Sequence, residues 1–385
     1  MRGGDGAAYA KIGCMPFPDC VPELTDGVVR LRAHRREDAE RIVEQCQDVD
    51  TLRWTTVPRP YGPAEAEWFL KHIEDGWNAG EGYEYWAITD AADPQQRFLG
   101  TIDLRAGKSG MAEVGFGLHP DGRGRGSMAA ALRLVAARFF NDLGGQRLYW
   151  WASRGNFASW RVAWACGFTF HATLPARLQP PDPSAQADHG AVASVGRDDD
   201  LTRPAAPWHE PVTLEADGIR LRAWRPDDVE AIELDDTPEH FEPPGARQTP
   251  ENYAEWLLRR QERMSQGTST WWCITDAATD RALGLVTLIE GGQEPGTAEL
   301  GYALFPSARG RGATTIASRL VVDYAFAETG GRGLRKLSAL TVGDNDKSAA
   351  VLTRLGFTEW GREPAFCERE DGTLDDARHW VLLRP

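Results

Sequence analysis

Two short glycine-arginine stretches carry the first chemical signal in this chain. They are Arg123-Gly124-Arg125-Gly126-Ser127 and Arg309-Gly310-Arg311-Gly312-Ala313, and each lies between an alternating apolar run and a helix-like run. Glycine has no Cβ, so neighbouring backbone N–H groups can converge and approach an anion closely. The helix that follows adds free N–H donors and partial positive charge at its N-terminus. The four arginines add full charge and paired donors. This chemistry suits a grip on a diphosphate. Two look-alikes fail. Ala106-Gly-Lys-Ser109 has Ile102 where a P-loop needs its first glycine. Gly122 and Gly124 are followed by Ser127, where a dinucleotide fingerprint needs a third glycine. A nucleotide hydrolase or a dehydrogenase is disfavoured accordingly.

The loops occur twice because the chain repeats itself. Val29–Glu40 recurs at 219–230, Tyr85–Asp93 at 271–280, Ala112–Gly126 at 298–312 and Asn156–Phe168 at 345–357. The four blocks keep their order at a shift of about 187 residues, far too long for a solenoid, so each copy is expected to be a whole domain. Residues 1–22 lack periodicity and read as a loose arm. Copy one spans 23–198 and copy two 212–385; the acidic, proline-bearing stretch 199–211 reads as a linker.

The elements that must position the loops follow from periodicity. Each copy opens with a strand (27–34 in copy one) and a short helix, marked in copy two by Pro226, Asp227 and Asp228. A second helix carries Trp68, Phe69 and Ile73, and in copy two is expected to begin at Thr249-Pro250. Three strands lead to the glycine loop. The helix after it places Leu132, Val135, Ala136 and Phe139 on one face and is expected to stop at Gly144-Gly145, or Gly330-Gly331 in copy two. A strand, a helix opened by Asn156 or Asn345, and a hairpin complete each copy, with 175–190 as a long hairpin loop and 190–197 as the last strand of copy one. The fold class is α/β with a mixed sheet, in two tandem domains.

Composition narrows the partners. The 385 residues carry a net charge of −14, which disfavours a nucleic-acid backbone and is compatible with cationic amines. No run of eighteen apolar residues could span a membrane, and the first twenty residues lack the apolar core of a signal peptide. The six cysteines include no C-x-x-C, and the eight histidines form no H-E-x-x-H. A reduced, cytoplasmic compartment and no metal are expected. Fifteen tryptophans are unusual; Trp54, Trp68, Trp77 and Trp86 cluster in the first half of copy one, and Trp150 and Trp151 must face opposite sides of one strand.

With these motifs on the page, the chain resembles the GNAT superfamily of N-acetyltransferases, in its ribosomal-protein N-terminal acetyltransferase (RimJ/RimL-like) branch. The superfamily signature, Q/R-x-x-G-x-G/A at the start of the main helix, is matched by Arg123 to Met128 and by Arg309 to Thr314. The branch pattern adds Glu113 and Glu299 before the loop, then Asn156, Ser159 and Gly167-Phe168, or Asn345, Ser348 and Gly356-Phe357, after it. The resemblance covers roughly nine-tenths of the chain. Both copies depart at the sixth signature position, where Met128 is expected to crowd an approaching pyrophosphate and Thr314 is smaller. Copy two also keeps a hydroxyl at Thr315, where copy one has Ala129, so copy two looks the better coenzyme site.

The resemblance implies an acetyl-coenzyme A substrate lying in a V-shaped gap between the fourth and fifth strands. The implied coenzyme contacts are Arg123, Gly124, Arg125, Gly126, Ser127 and Asn156 in copy one. In copy two they are Arg309, Gly310, Arg311, Gly312, Ala313, Thr314, Thr315 and Asn345. The pantetheine would pair with 114–118 or 300–304. An amine then attacks the thioester directly. Glu113 and Glu299 are candidate bases, and Ser159 and Ser348 candidate donors to the departing sulfur. Many superfamily members place a tyrosine acid where this chain has Ala163 and Leu352. The acceptor would be a protein N-terminus or a small-molecule amine. Two other readings remain: an acyl-coenzyme-A-binding sensor or scaffold with one or both copies inactive, and transfer of a larger acyl group.

Overall fold

The computed structural model describes residues 16–80, 82–107, 109–178, 188–234, 247–290, 294–369 and 371–385. It divides into two compact units, residues 1–206 and 207–385. The first fifteen residues of the expected arm and the centre of the expected hairpin loop, 179–187, lie outside the described residues.

Unit 1 contains β1 (Leu24–Thr25), β2 (Val29–Arg32), α1 (Ala39–Gln47), α2 (Val49–Trp54), α3 (Pro63–Ala79), β3 (Tyr83–Asp90), β4 (Gly100–Ala106) and β5 (Met111–Leu118). It continues with α4 (Ser127–Ala137), β6 (Arg147–Ser153), α5 (Phe157–Ala165), β7 (Thr169–Leu178) and β8 (Asp188–Gly196). Unit 2 contains β9 (Leu214–Ala216), β10 (Ile219–Arg222), α6 (Tyr253–Ser265), β11 (Ser269–Asp276), β12 (Ala282–Ile289) and β13 (Thr297–Leu304). It continues with α7 (Ala313–Phe326), β14 (Lys336–Val342), α8 (Asp346–Leu355), β15 (Thr358–Glu368) and β16 (Leu374–Leu383).

Each unit has one eight-stranded mixed sheet, ordered β1-β2-β3-β4-β5-β6-β8-β7 and β9-β10-β11-β12-β13-β14-β16-β15. Only β5–β6 and β13–β14 run parallel among the described pairs. Alternation explains the layers. Trp272 points to the face covered by α7, where its ring meets Tyr324 edge-on at 5.8 Å. Its neighbour Trp271 points to the other face, against Trp256 of α6 at 6.3 Å. Leu132, Val135, Ala136 and Phe139 are all buried, as the helical spacing predicts.

Local differences have local causes. In copy two the first helix is only a 3-10 segment, Pro226–Ala231; beyond it, Glu233 turns away to accept the Ser307 backbone N–H at 2.9 Å. Helix α6 starts at Tyr253, three residues past the expected proline, because Thr249 and Asn252 bond each other reciprocally and fix a turn first. Helix α7 ends at Phe326, before Gly330. Strands β7 and β8 run to Leu178 and from Asp188, so the hairpin loop is shorter than expected. The stretch 199–211 is tied down. Arg133 and Trp164 donate to the Leu201 and Ala206 carbonyls, and the His209 ring lies 2.7 Å from the Arg332 guanidinium.

Candidate active site

The parallel strands part soon after they meet. In unit 2, Thr297–Glu299 pair with Lys336–Ser338 and no further rung joins β13 to β14. In unit 1 the pairing is Met111–Val114 with Arg147–Trp150. The glycine loop follows the splayed end of β5 or β13. Gly310 and Gly312 have φ of 78° and 79°, Gly124 and Gly126 of 75° and 77°. These are left-handed conformations that side chains resist, so the loops need glycine for backbone shape. A Cβ added at any of the four would meet no other part of the chain within 4 Å. Gly126 and Gly312 occupy the N-cap positions of α4 and α7. The first helical N–H groups, from Ser127 and from Ala313, Thr314 and Thr315, therefore adjoin a bare loop.

Unit 2 has a cleft of about 210 Å³ at this point, lined by Leu300, Tyr302, Ala339, Leu340, Asn345 and Ser348. Glu299 also lines it. Burial pushes the Glu299 pKa above its ordinary value, and His379 partly opposes the shift. Among the described residues nothing bonds to this carboxylate, and by accessible surface Glu299 is exposed, with only its surroundings crowded. Alternation puts Leu300 and Tyr302 on the opposite side of β13, toward α7 and α8. There the Tyr302 hydroxyl lies 2.9 Å from Ser348 Oγ and 3.1 Å from the Ser348 carbonyl. Burial raises the Tyr302 pKa to about 12. Asn345 caps α8, its Oδ1 accepting the Ser348 N–H at 3.2 Å. Arg309 donates to the Leu304 carbonyl, and Arg311 is exposed beside the loop.

Unit 1 uses the same positions differently. Trp150 stands where unit 2 has Ala339; it is buried, and its indole N–H donates to Ser159 Oγ at 3.0 Å. Phe116 replaces Tyr302. The Glu113 carboxylate is bound by Arg105 at 3.1 Å, and the same guanidinium holds half-buried Asp103 at 2.7 Å. Arg123 pairs with Asp48 and Asp50, at the start of α2, while Arg125 is exposed. Asn156 caps α5 through the Ser159 N–H at 3.1 Å. Met128 is 3% exposed, so it packs into the core and does not overhang the loop as its size suggested.

The sequence pattern of the acetyltransferase (GNAT) domain matches residues 29–169 and again 219–358. The chain belongs to the GNAT acetyltransferase family. Both GNAT regions include their glycine loop and the strands on either side. The "Probable N-acetyltransferase YjcK" of Bacillus subtilis is 35% identical over 116 residues, 29% of this chain and 61% of that protein. The candidate ribosomal N-acetyltransferase YdaF, also of Bacillus subtilis, is 34% identical over 100 residues, 26% of this chain and 50% of that protein. The chain thus spans only about half to three-fifths of the curated relatives it matches. Among solved structures, a ribosomal-protein-S5-alanine acetyltransferase from Vibrio fischeri superposes on 45% of this GNAT chain and 97% of its own, with a TM-score of 0.38 and 22% identity.

The structure brings Glu299, Asn345 and Ser348 of this GNAT chain together at one cleft. Sequence reasoning missed Tyr302. The readable signal was the difference between Tyr302 and Phe116 at matched strand positions, both on the side facing the helix that carries the serine.

Proposed function

We propose that unit 2 is an acetyl-coenzyme-A-dependent N-acetyltransferase, with Arg309, Arg311, Gly310, Gly312 and the N–H groups of Ala313–Thr315 gripping the diphosphate. The observation that carries this reading is the placement of Glu299 on one side of a parted strand pair and the Ser348–Tyr302 hydroxyl pair on the other. The acceptor amine attacks the thioester carbon with its lone pair. Glu299, directly or through water, takes the proton that the amine gives up. The carbon–sulfur bond breaks, and the sulfur takes a proton from the hydroxyl pair. A carboxylate with a raised pKa and no bonded partner among the described residues is suited to accept a proton near neutral pH.

The acceptor is a primary amine, either a protein N-terminus or a small molecule. Thiol release from acetyl-coenzyme A, measured with the whole chain and a panel of N-terminal peptides and polyamines, tests the assignment. Stimulation by at least one amine is expected; coenzyme binding without stimulation by any amine would favour the sensor reading instead.

Unit 1 we read as a GNAT copy without transfer chemistry. Trp150 occupies the gap, Arg105 holds Glu113, and Asp48 and Asp50 hold Arg123. The first takes up room and the second ties up the base that the reaction needs, while Arg125 stays exposed beside the loop.

A further inference from the structure

We propose that unit 2 selects an acceptor amine carrying a second positive charge, which it holds at Trp360 and Glu363 on the hairpin of β15 and β16. This inference rests on the reading of unit 2 as the transferase and names the class of amine that it serves.

Register puts these side chains on the Glu299 side of the sheet. Glu299 pairs with Ser338, and two residues further along β14, Leu340 pairs with His379. Side chains at alternate positions of a strand share a face, and so do those directly opposite across a ladder. Leu340 lines the same cleft as Glu299, and His379 is near enough to act on the Glu299 charge. Glu363 pairs with Ala377, two residues from His379, and its Oε2 lies 3.1 Å from His379 Nε2. A bulge between Glu359 and Gly361 sets Trp360 beside the same imidazole, with ring centroids 5.6 Å apart. Strands β13 and β16 are two strand spacings apart, roughly 10 Å. An extended acceptor with its reacting nitrogen at Glu299 reaches this group with its far end.

The chemistry there favours a cation. Trp360 is 67% exposed, so most of its indole meets solvent. The faces of that ring are electron-rich and attract ammonium or guanidinium groups. The second oxygen of Glu363 makes no hydrogen bond among the described residues. Arg362 and Arg378 of this hairpin leave the place open, because both are held by Glu359. Glu359 pairs with Trp380, which belongs to the core on the opposite face.

Unit 1 supplies the internal control. Its last hairpin has the same bulge, between Phe170 and Ala172. Register places His171, Val192 and Leu174 where unit 2 has Trp360, His379 and Glu363. His171 turns onto Ser194, 2.7 Å away. The unit whose glutamate is tied to Arg105 thus lacks both the indole and the carboxylate. The unit whose glutamate has no bonded partner among the described residues has both.

The test measures kcat/KM of the whole chain, at saturating acetyl-coenzyme A, for matched pairs of acceptors. Octylamine and 1,8-diaminooctane present the contrast on a small molecule. Ala-Lys-Ala-amide and its norleucine counterpart present it on a peptide. A preference of about tenfold for the dicationic member is expected in at least one pair, and that pair names the source of the acceptor. Trp360→Ala should cut the preference at least threefold, through KM, at an unchanged melting temperature. Glu363→Gln should do the same and serves alone if the first variant misfolds. Turnover with equal kcat/KM within both pairs, or a preference that survives in folded variants, would overturn this inference alone. No turnover with any amine would overturn the transferase reading and this inference with it.

Discussion

The Tyr302 hydroxyl bridges β13 to the first turn of α8 by lying 2.9 Å from the Ser348 hydroxyl. With its pKa raised to about 12, the phenol keeps its proton at every pH where an amine acceptor is active. On the proposed mechanism it would resupply Ser348 after that hydroxyl gave its proton to the sulfur. Tyr302→Phe should lower kcat roughly 10- to 100-fold, with little change in KM for acetyl-coenzyme A. A variant of unaltered kcat would leave the tyrosine with a packing role alone.

Glu299→Gln should abolish most turnover while coenzyme affinity, measured by calorimetry, stays the same. The raised pKa gives a second readout. The folded state holds this proton more tightly than the unfolded chain does, so its stabilising contribution exists at low pH and is lost as pH rises through the raised value. At pH 8 the glutamine variant should melt at the same temperature as the parent or slightly above it. Its kcat/KM should also lose the acid-side limb that the carboxylate imposes. Retention of that limb would assign it to another group.

Ala339→Trp transplants the unit 1 residue into the unit 2 gap. Overpacking of this kind costs about 1–3 kcal/mol, and unit 1 already accommodates an indole at the matching site. Calorimetry should count one coenzyme per parent chain and none for the variant. Two sites in the parent would refute the assignment of unit 1 as closed.

Gly312→Val places a branched side chain at φ of 79°, a strain of at least about 1–2 kcal/mol. It also covers the loop proposed to hold the diphosphate. Loss of coenzyme binding is expected, whereas Gly126→Val should leave the stoichiometry untouched. Equal effects of the two changes would mean that both loops carry ligand.

Much of this was legible because two copies of one pattern could be read against each other. The strand leading to Glu299, the glycine turn and the Asn345–Ser348 helix start depend on alternation, on missing Cβ atoms and on a local cap, and such short-range causes are written in adjacent residues. Other features depend on neighbours distant in the chain. Nothing next to Trp150 says that its indole reaches Ser159, and nothing next to Glu113 says that Arg105 holds it. Met128 misled because bulk was read without direction; the helix turns it inward. The start of α6 shifted because the Thr249–Asn252 exchange satisfies the same backbone groups that an earlier cap would have used.

Three residue pairs join β13 to β14, against six between β12 and β13 and seven between β14 and β16. The two strands part beyond Glu299 and Ser338, in the middle of the sheet. A long, thin guest can be wedged in from the loop end without tearing any established ladder, and its withdrawal leaves no broken rungs to rebuild. On the proposed function, entry and exit of the coenzyme would then ask little mechanical work of the protein.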